Sequence, residues 1–176
     1  MQRIDFSKRA TLGFFIPGRR GFTDGFKKVG RVRGMDVWVE DVDEEGDYLE
    51  VEVTSNINGK HKRVMVISLE RDGQSYHVNL AQVDSKFQGH GIAPMVYRYI
   101  CKKLGIILQA GRMQSPGGRH IWNMVSTYKD MLVLGQRGKK GKVYRLEQGP
   151  DGELVSDKHK VYDGGYDYHV FCMYSK

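Results

Sequence analysis

The sequence predicts an α+β domain whose mixed sheet begins as an antiparallel meander and continues through one parallel β-α-β unit. Segments of alternating apolar and polar residues, separated by short polar turns, fill much of residues 36–83. An amphipathic helical pattern follows the last segment, and another apolar run begins at Ile106. Because a parallel neighbour is reached by a crossover, we expect this run to pair in parallel with the strand before the helix.

The meander is expected to contain strands at residues 36–42, 48–53, 63–69 and 76–83. In the second of these, Glu50 and Glu52 share one face because side chains alternate along a strand. Further strands are expected at residues 131–134 and 166–174, the last beside the strand at Ile106. A helix between them carries the apolar stripe Ile121, Trp122, Val125 and Tyr128.

The clearest helical pattern starts after a glycine-containing turn at residues 84–93. Pro94 is expected at the first helical position, where its missing N–H loses no bond and its ring pre-sets φ. Gly105 stands where the helix should end. The face that can pack on a sheet consists of Ile92, Met95, Val96, Tyr99, Ile100 and Leu104.

The glycines of this turn lie at the N-terminus of the predicted helix. Backbone N–H groups and the positive end of the helix dipole then point at one spot, which suits a phosphate or pyrophosphate. The turn fits the loose pattern Gln-x-x-Gly-x-Ala, from Gln88 to Ala93. Its position between a strand and an amphipathic helix is what makes it informative.

The stretch VDSKFQGHGIA, residues 83–93, resembles the acetyl-coenzyme A signature of the GNAT superfamily of N-acyltransferases. In that family a Val ends the fourth strand, and Gln/Arg-x-x-Gly-x-Gly/Ala follows five residues later, as Gln88 follows Val83. The predicted order of strands is also similar to the GNAT sheet. The resemblance covers roughly residues 64–134. The N-terminal third does not follow the family, as would suit a divergent, phage-type member.

The resemblance implies that acetyl-coenzyme A is the cofactor. The amides from Gly89 to Ala93 would hold its pyrophosphate, and the backbone near Gln82 and Val83 would pair with the pantetheine arm like an added strand. The thioester would lie where the two parallel strands separate. The cofactor-binding residues implied in this way are Gln82, Val83, Gln88, Gly89, His90, Gly91, Ile92 and Ala93.

Tyr128 resembles the family's tyrosine that points at the coenzyme sulfur and can protonate the leaving thiolate. The family often has Asn-x-x-Ala on the same helix, and here Ile121 and Met124 occupy those positions. The alternative is that Tyr128 only completes the apolar stripe, with its hydroxyl at the surface.

His77 is the candidate base that takes the proton of the acceptor ammonium. It precedes Val83 by six residues, where some family members carry a base-forming Glu, and an unperturbed histidine titrates near neutral pH. The alternative is a partly buried strand histidine bonded to backbone. No spacing supports a metal site or a Ser–His–acid arrangement.

The most strongly indicated activity is therefore direct transfer of an acetyl group to an amine of a small molecule or protein. One alternative is a catalytically inactive GNAT-like module that binds and modulates another protein. A lesser alternative is a nucleic-acid-binding domain that uses the basic N-terminal segment and the RGKKGK stretch at residues 137–142.

The chain of 176 residues, 40% hydrophobic, suits a single domain with a weakly patterned N-terminal segment (1–34), a core (35–134) and C-terminal strands (135–176). The N-terminal segment holds nine Lys or Arg against two Asp and so accounts for the whole net charge of +7. That charge favours an acidic acceptor, although such runs are usually a solvated rim.

The absence of a membrane-spanning segment and of a disulfide framework indicates the cellular compartment. No apolar run approaches the roughly 20 residues that cross a bilayer. Cys101 and Cys172 are far apart in the chain and form neither a disulfide framework nor a metal-binding spacing. We therefore expect a soluble cytoplasmic protein with free thiols and no membrane partner.

Overall fold

The computed structural model describes residues 25–43, 45–111, 114–138, 141–156, 161 and 168–175. Most of the basic N-terminal segment, residues 1–24, lies outside the described residues, and so do Lys139 and Lys140 of the RGKKGK stretch. The described helices are α1 (Ile92–Leu104) and α2 (Pro116–Val125). The strands are β1 (Lys27–Val32), β2 (Met35–Asp41), β3 (Tyr48–Ile57), β4 (Lys60–Asp72), β5 (Ser75–Val83), β6 (Ile107–Gln109), β7 (Met131–Arg137), β8 (Val143–Arg145), β9 (Glu147–Gln148), β10 (Leu154–Val155) and β11 (Tyr168–Tyr174).

These elements form an α+β fold with a large mixed sheet, as predicted. Its nine strands are hydrogen-bonded in the order β1-β2-β3-β4-β5-β6-β11-β7-β8, and β9 pairs with β10 separately. The β5–β6 pair is parallel, with Ser75 opposite Ile107 and His77 opposite Gln109. The predicted strand near the C-terminus is confirmed as β11, which pairs antiparallel with both β6 and β7.

Strand β1 was not predicted. It forms a hairpin with β2 through Arg33 and Gly34, whose φ angles of 47° and 78° are both positive. Two positive φ angles match the right-handed twist of a two-residue hairpin. Arg-Gly is a weak turn signal compared with Asn-Gly, and a register shift between Lys28 and Gly30 breaks the alternation that would mark a strand.

The chain divides into two compact units, Met1–Arg71 with Val78–Ala93, and Asp72–His77 with Pro94–Lys176. In the first unit, one face of β2–β4 is apolar because its cross-strand pairs align, for example Val37 with Val53 and Val51 with Ile67. The buried residues of this face are Val37, Val51, Val53, Met65, Ile67 and Leu69. Their burial supplies the hydrophobic stabilisation of this unit.

The opposite face of the same strands carries buried polar side chains, and we call it the polar face. Glu50 and Glu52 share it, as the alternation predicts, and their exposed fractions are only 0% and 1%. Arg63 Nη2 lies 2.7 Å from Glu52 Oε1, and both side chains are largely shielded from water. A buried carboxylate needs such a partner, since the cost of removing an unpaired charge from water is large.

Asp36 on the same face binds two residues of the basic N-terminal segment. Lys28 Nζ and Arg31 Nε lie 2.8 Å and 2.6 Å from its Oδ1. Burial raises the pKa of Asp36, but its hydrogen bonds to Lys28 and Arg31 and their charges outweigh this, so the net shift is downward. Lys28 also lies 5.6 Å from the centre of the Trp38 ring. Part of the positive charge of the N-terminal segment is therefore paired with Asp36 within the chain.

In the second unit, α1 buries a wider stripe than the one predicted. Tyr97 and Cys101 are each only 1% exposed, whereas Tyr99 and Leu104 are half-buried. The buried stripe also includes Val96 and Ile100, so two adjacent residues of each turn face the core. Tyr97 meets Trp122 of α2 edge to face, with ring centres 5.4 Å apart.

The second helix begins at Pro116 and ends at Val125. Ser115 is its N-cap, as the Ser-Pro sequence indicates, and its Oγ accepts a 3.1 Å hydrogen bond from the Gly118 N–H. Trp122 and Val125 are buried, as the predicted stripe requires, and Ile121 is half-buried. Tyr128 lies beyond the end of the helix, so the stripe is shorter than predicted.

An acid-sensitive ion pair joins α1 to the chain before β7. Arg98 donates to Asp130 Oδ2 from Nε at 3.0 Å and from Nη2 at 2.7 Å. The hydrogen bonds from Arg98 outweigh burial and lower the pKa of Asp130. A lowered pKa in the folded state stabilises it above the unfolded pKa of about 3.9, and this stabilisation is lost as the pH falls through the folded value.

We therefore expect Asp130→Asn to reduce the free energy of unfolding at pH 7 by about 0.5–1.5 kcal/mol and to make it less dependent on pH below about pH 4. Urea unfolding at pH 7, 5 and 3 measures both effects. Asp72→Asn, at the exposed last residue of β4, is the matched control. If the free energy of unfolding falls equally steeply between pH 5 and pH 3 in wild type and Asp130→Asn, the ion pair is not the source of the acid sensitivity.

Candidate functional site

The predicted anion-binding turn begins where β5 ends at Val83. The Asp84 N–H donates to the Val64 carbonyl at 2.9 Å, which fastens the start of the turn to β4. A single 3-10 turn, Ser85–Phe87, follows, and the Asp84 side chain accepts from the Lys86 N–H at 2.9 Å. These local bonds fix the direction in which the chain leaves the strand.

Gln88 closes the turn. Its Nε2 donates to the Val83 carbonyl oxygen at 3.0 Å, so the side chain ties the glycine segment back to the end of the strand. Sequence reasoning had assigned Gln88 only to the cofactor. The structure shows a structural role for this side chain, since its bond ties the turn to the end of β5.

Gly89 and Gly91 need glycine because of their backbone conformation. Their φ angles are 78° and 67°, in the left-handed region that other residues rarely adopt. A Cβ added at either residue would meet nothing within 4 Å. Residues 88–91 are all exposed. The surface above these two glycines is therefore open to a ligand that approaches the backbone closely.

Helix α1 begins at Ile92, so Pro94 is its third residue. The prediction that Pro94 is the first residue of the helix is therefore wrong. The first-turn amides of a helix have no partner within the helix, and Pro94 brings no N–H that would need one. The first turn carries no acidic residue. Ile92 and Ala93 are 7% and 6% exposed, so their side chains anchor the helix start while their backbone lies beside the open glycines.

This geometry fits a pyrophosphate. An anion at this turn would meet main-chain N–H groups and the positive end of α1, with no carboxylate in the first helical turn to repel it. Gln82 and Val83, assigned to the pantetheine arm, are half-buried. The Val83 carbonyl accepts one bond from Gln88.

His77 lies on β5, at the last residue pair of the parallel β5–β6 ladder. Its strand partner Gln109 is 6% exposed and belongs to a polar row that the sequence did not single out. Gln109 Oε1 accepts from Ser75 Oγ at 3.0 Å, and Gln109 Nε2 lies 3.3 Å from His169 Nδ1. Only strand pairing brings these residues together, and they are far apart in the chain.

Tyr128 lies between α2 and β7. Its N–H donates to the Val125 carbonyl at 3.2 Å, and its own carbonyl accepts from the Met131 N–H at 3.0 Å. The Arg98 guanidinium lies 5.1 Å from the centre of the tyrosine ring, within cation–π range. Because Asp130 holds Arg98 through two hydrogen bonds, the ring has a fixed neighbour. Arg98 was absent from the predicted site.

The eight predicted cofactor-binding residues lie in two short runs, residues 82–83 at the end of β5 and residues 88–93 at the start of α1, with the single 3-10 turn between them. The structure places His77 beside Gln109, and Tyr128 against Arg98. The eight residues lie in the first compact unit, whereas His77 and Tyr128 lie in the second. The roles of His77 and Tyr128 in catalysis stay predictions.

Comparison with known families and with curated proteins found no match for this chain. Among the helices of the described ranges, none is both long and apolar enough to cross a membrane.

Proposed function

We propose that the turn at residues 84–93 binds the pyrophosphate of acetyl-coenzyme A and that the protein is a GNAT-like N-acetyltransferase. One observation carries the proposal: two exposed glycines with positive φ lie immediately before an α-helix that follows a strand. Gly89 and Gly91 leave open space where any side chain would intrude. The resemblance of residues 83–93 to the family signature supports the same ligand.

The binding energy in this proposal comes mainly from the backbone. Several N–H groups and the positive end of α1 would act on one doubly charged group. The bond that the Asp84 side chain accepts and the bond that Gln88 donates hold the turn before the ligand arrives. A turn that is already ordered loses less conformational entropy on binding. The coenzyme would supply an acetyl group activated as a thioester.

The remaining chemistry requires two proton transfers. The acceptor amine must be neutral before its nitrogen attacks the thioester carbonyl carbon, and His77, or a water beside it, would take that proton. As the C–S bond breaks, Tyr128 would give its phenolic proton to the leaving thiolate. Arg98 would act as a positioning residue for the Tyr128 ring. The acceptor would be a small molecule or protein amine, and the basic N-terminal segment favours an acidic one.

Calorimetric titration of the full chain with acetyl-coenzyme A tests the proposal. We expect a Kd on the order of 10 μM, in the usual range for enzyme substrates. ADP, which carries the pyrophosphate without the pantetheine arm, should bind more weakly, and AMP should not bind measurably. A folded protein that gives no heat with acetyl-coenzyme A would overturn the proposal.

The second candidate is a module that binds the coenzyme without transferring its acetyl group and modulates another protein. Two features favour it. Ile121 and Met124 replace the family's Asn-x-x-Ala, and the Tyr128 ring already has a structural neighbour in Arg98. Coenzyme binding without thiol release, across a panel of amines that includes acidic peptides, would select this candidate. Thiol release above the hydrolysis background would exclude it.

A further inference from the structure

Cys101 and Cys172 lie side by side in the core of the second unit, although 71 positions separate them in the chain. Their sulfur atoms are 3.9 Å apart, and the Cys101 thiol also lies 3.8 Å from the Cys172 carbonyl oxygen. Cys101 is on α1 and Cys172 is on β11. Both are free thiols and are 1% and 0% exposed. Their spacing in the sequence gave no indication of this contact.

We propose that Cys101 and Cys172 are a modification site: a dithiol that closes into a reversible disulfide on oxidation and fastens α1 to β11. A disulfide needs its sulfurs about 2.05 Å apart, so the pair must approach by about 2 Å. Rotation of the two side chains, with a small shift of the helix, would have to supply this movement. The proposal does not depend on the coenzyme site.

The reaction is a two-electron oxidation. Two S–H bonds are lost, one S–S bond forms, and two protons and two electrons pass to the oxidant. Hydrogen peroxide takes them to become two waters, and a low-molecular-weight disulfide such as oxidised glutathione takes them to become two thiols. In a reducing compartment the same exchange runs backwards and restores the dithiol.

The surroundings of the pair make oxidation slow in the resting protein. Burial raises the pKa of the Cys172 thiol, and the contact with Cys101 raises it further, so the reactive thiolate is scarce. Tyr97 belongs to the same buried cluster: burial raises the pKa of its phenol, and Cys172 and Cys101 add to the shift. The pair should therefore respond to sustained oxidation, when α1 and β11 separate transiently, and not to brief exposure.

Closing the bond should stabilise the second unit. The cross-link would join residues 71 positions apart and remove much of the loop entropy of the unfolded chain. In the chain-entropy view we expect the Tm to rise by about 10 °C for a protein of this size. Amide hydrogens of α1 should also exchange more slowly, because separation of the helix from β11 would be blocked.

In the test, the full chain is treated with hydrogen peroxide or with oxidised glutathione. It is then denatured in the presence of iodoacetamide, which labels free thiols. We expect a monomer that has lost two hydrogen atoms, takes up no label, and yields a peptide linking Cys101 to Cys172. Dithiothreitol should restore both labels and the original Tm. Cys101→Ala and Cys172→Ala, treated identically, should show no rise in Tm, and the wild-type result stands even where a variant folds poorly.

Other outcomes overturn the proposal. The first is that the native protein keeps both thiols after prolonged oxidation. The second is that sulfinic acid or mixed disulfides accumulate without the link between Cys101 and Cys172. The third is that oxidation forms disulfides between two chains. A link that forms and lowers the Tm would show that the core cannot accommodate the bond, and would equally rule out a stabilising switch.

Discussion

Replacing Gly91 by glutamate is expected to weaken acetyl-coenzyme A binding by at least about 100-fold, which corresponds to roughly 2.7 kcal/mol. Gly91 has a φ of 67° and open space above its backbone, directly before α1. A glutamate there puts a carboxylate and side-chain bulk where the pyrophosphate is proposed to bind. Like charges a few ångströms apart repel each other, and at this exposed turn water reduces the repulsion without removing it. Calorimetric titration of wild type and variant measures the loss.

Gly59→Glu is the matched control. Gly59 has a φ of 75°, nothing within 4 Å of an added Cβ, and a place in the β3–β4 turn of the same unit. Both variants therefore carry the same change in charge and a similar backbone strain of about 1–2 kcal/mol. Gly59→Glu should bind the coenzyme as wild type does. Equal losses in the two variants would show a general effect on folding, and normal binding by Gly91→Glu would exclude this turn as the site.

Gly91→Ala separates conformation from charge. Alanine brings the strain of a positive φ but only one methyl group and no carboxylate. We expect its effect on binding to be about tenfold, well below that of glutamate. If alanine and glutamate are equally damaging, the backbone conformation at Gly91 matters more than repulsion of the ligand.

Local sequence patterns were sufficient to predict those elements whose structure is decided by a few neighbouring residues. The strand that ends at Val83, the turn with Gly89 and Gly91, and the helix that ends before Gly105 all follow from alternation, glycine placement and helical spacing. The start of α1 was misplaced because proline suits the first turn of a helix generally, and its presence does not by itself show which position it occupies.

Contacts between residues far apart in the chain could not be predicted from local sequence patterns. The contacts of Ser75, Gln109 and His169 depend on the pairing of three strands, and the approach of Cys101 to Cys172 depends on the packing of α1 on β11. Arg98 against Tyr128 is a contact of the same kind. Each of these residues has an ordinary local sequence. The turn that holds Gly89 and Gly91 was predictable because its residues are contiguous, whereas the surroundings of His77 and Tyr128 were not.

Arg63→Met is expected to reduce the free energy of unfolding by about 3–5 kcal/mol, the largest effect on stability that the described charges predict. Its guanidinium lies 2.7 Å from Glu52, and the side chains are 14% and 2% exposed. Methionine keeps much of the side-chain volume but leaves the Glu52 carboxylate buried beside Glu50 without this cation. Urea unfolding at pH 7 measures the change.

Two comparisons identify the cause. Arg71→Met removes the same charge from a pair with Asp47 that spans 3.9 Å, with both side chains 50% exposed, and should cost less than about 1 kcal/mol. The double variant Glu52→Met, Arg63→Met should recover much of the loss, because an apolar pair of similar volume does not leave a buried charge. If the double variant is as unstable as Arg63→Met, the polar face depends on the shape and hydrogen bonds of Arg63, and the charge left on Glu52 is not the cause. If Arg63→Met is as mild as Arg71→Met, water reaches Glu52 in solution, and the acidic face of β2–β4 is less buried than its geometry indicates.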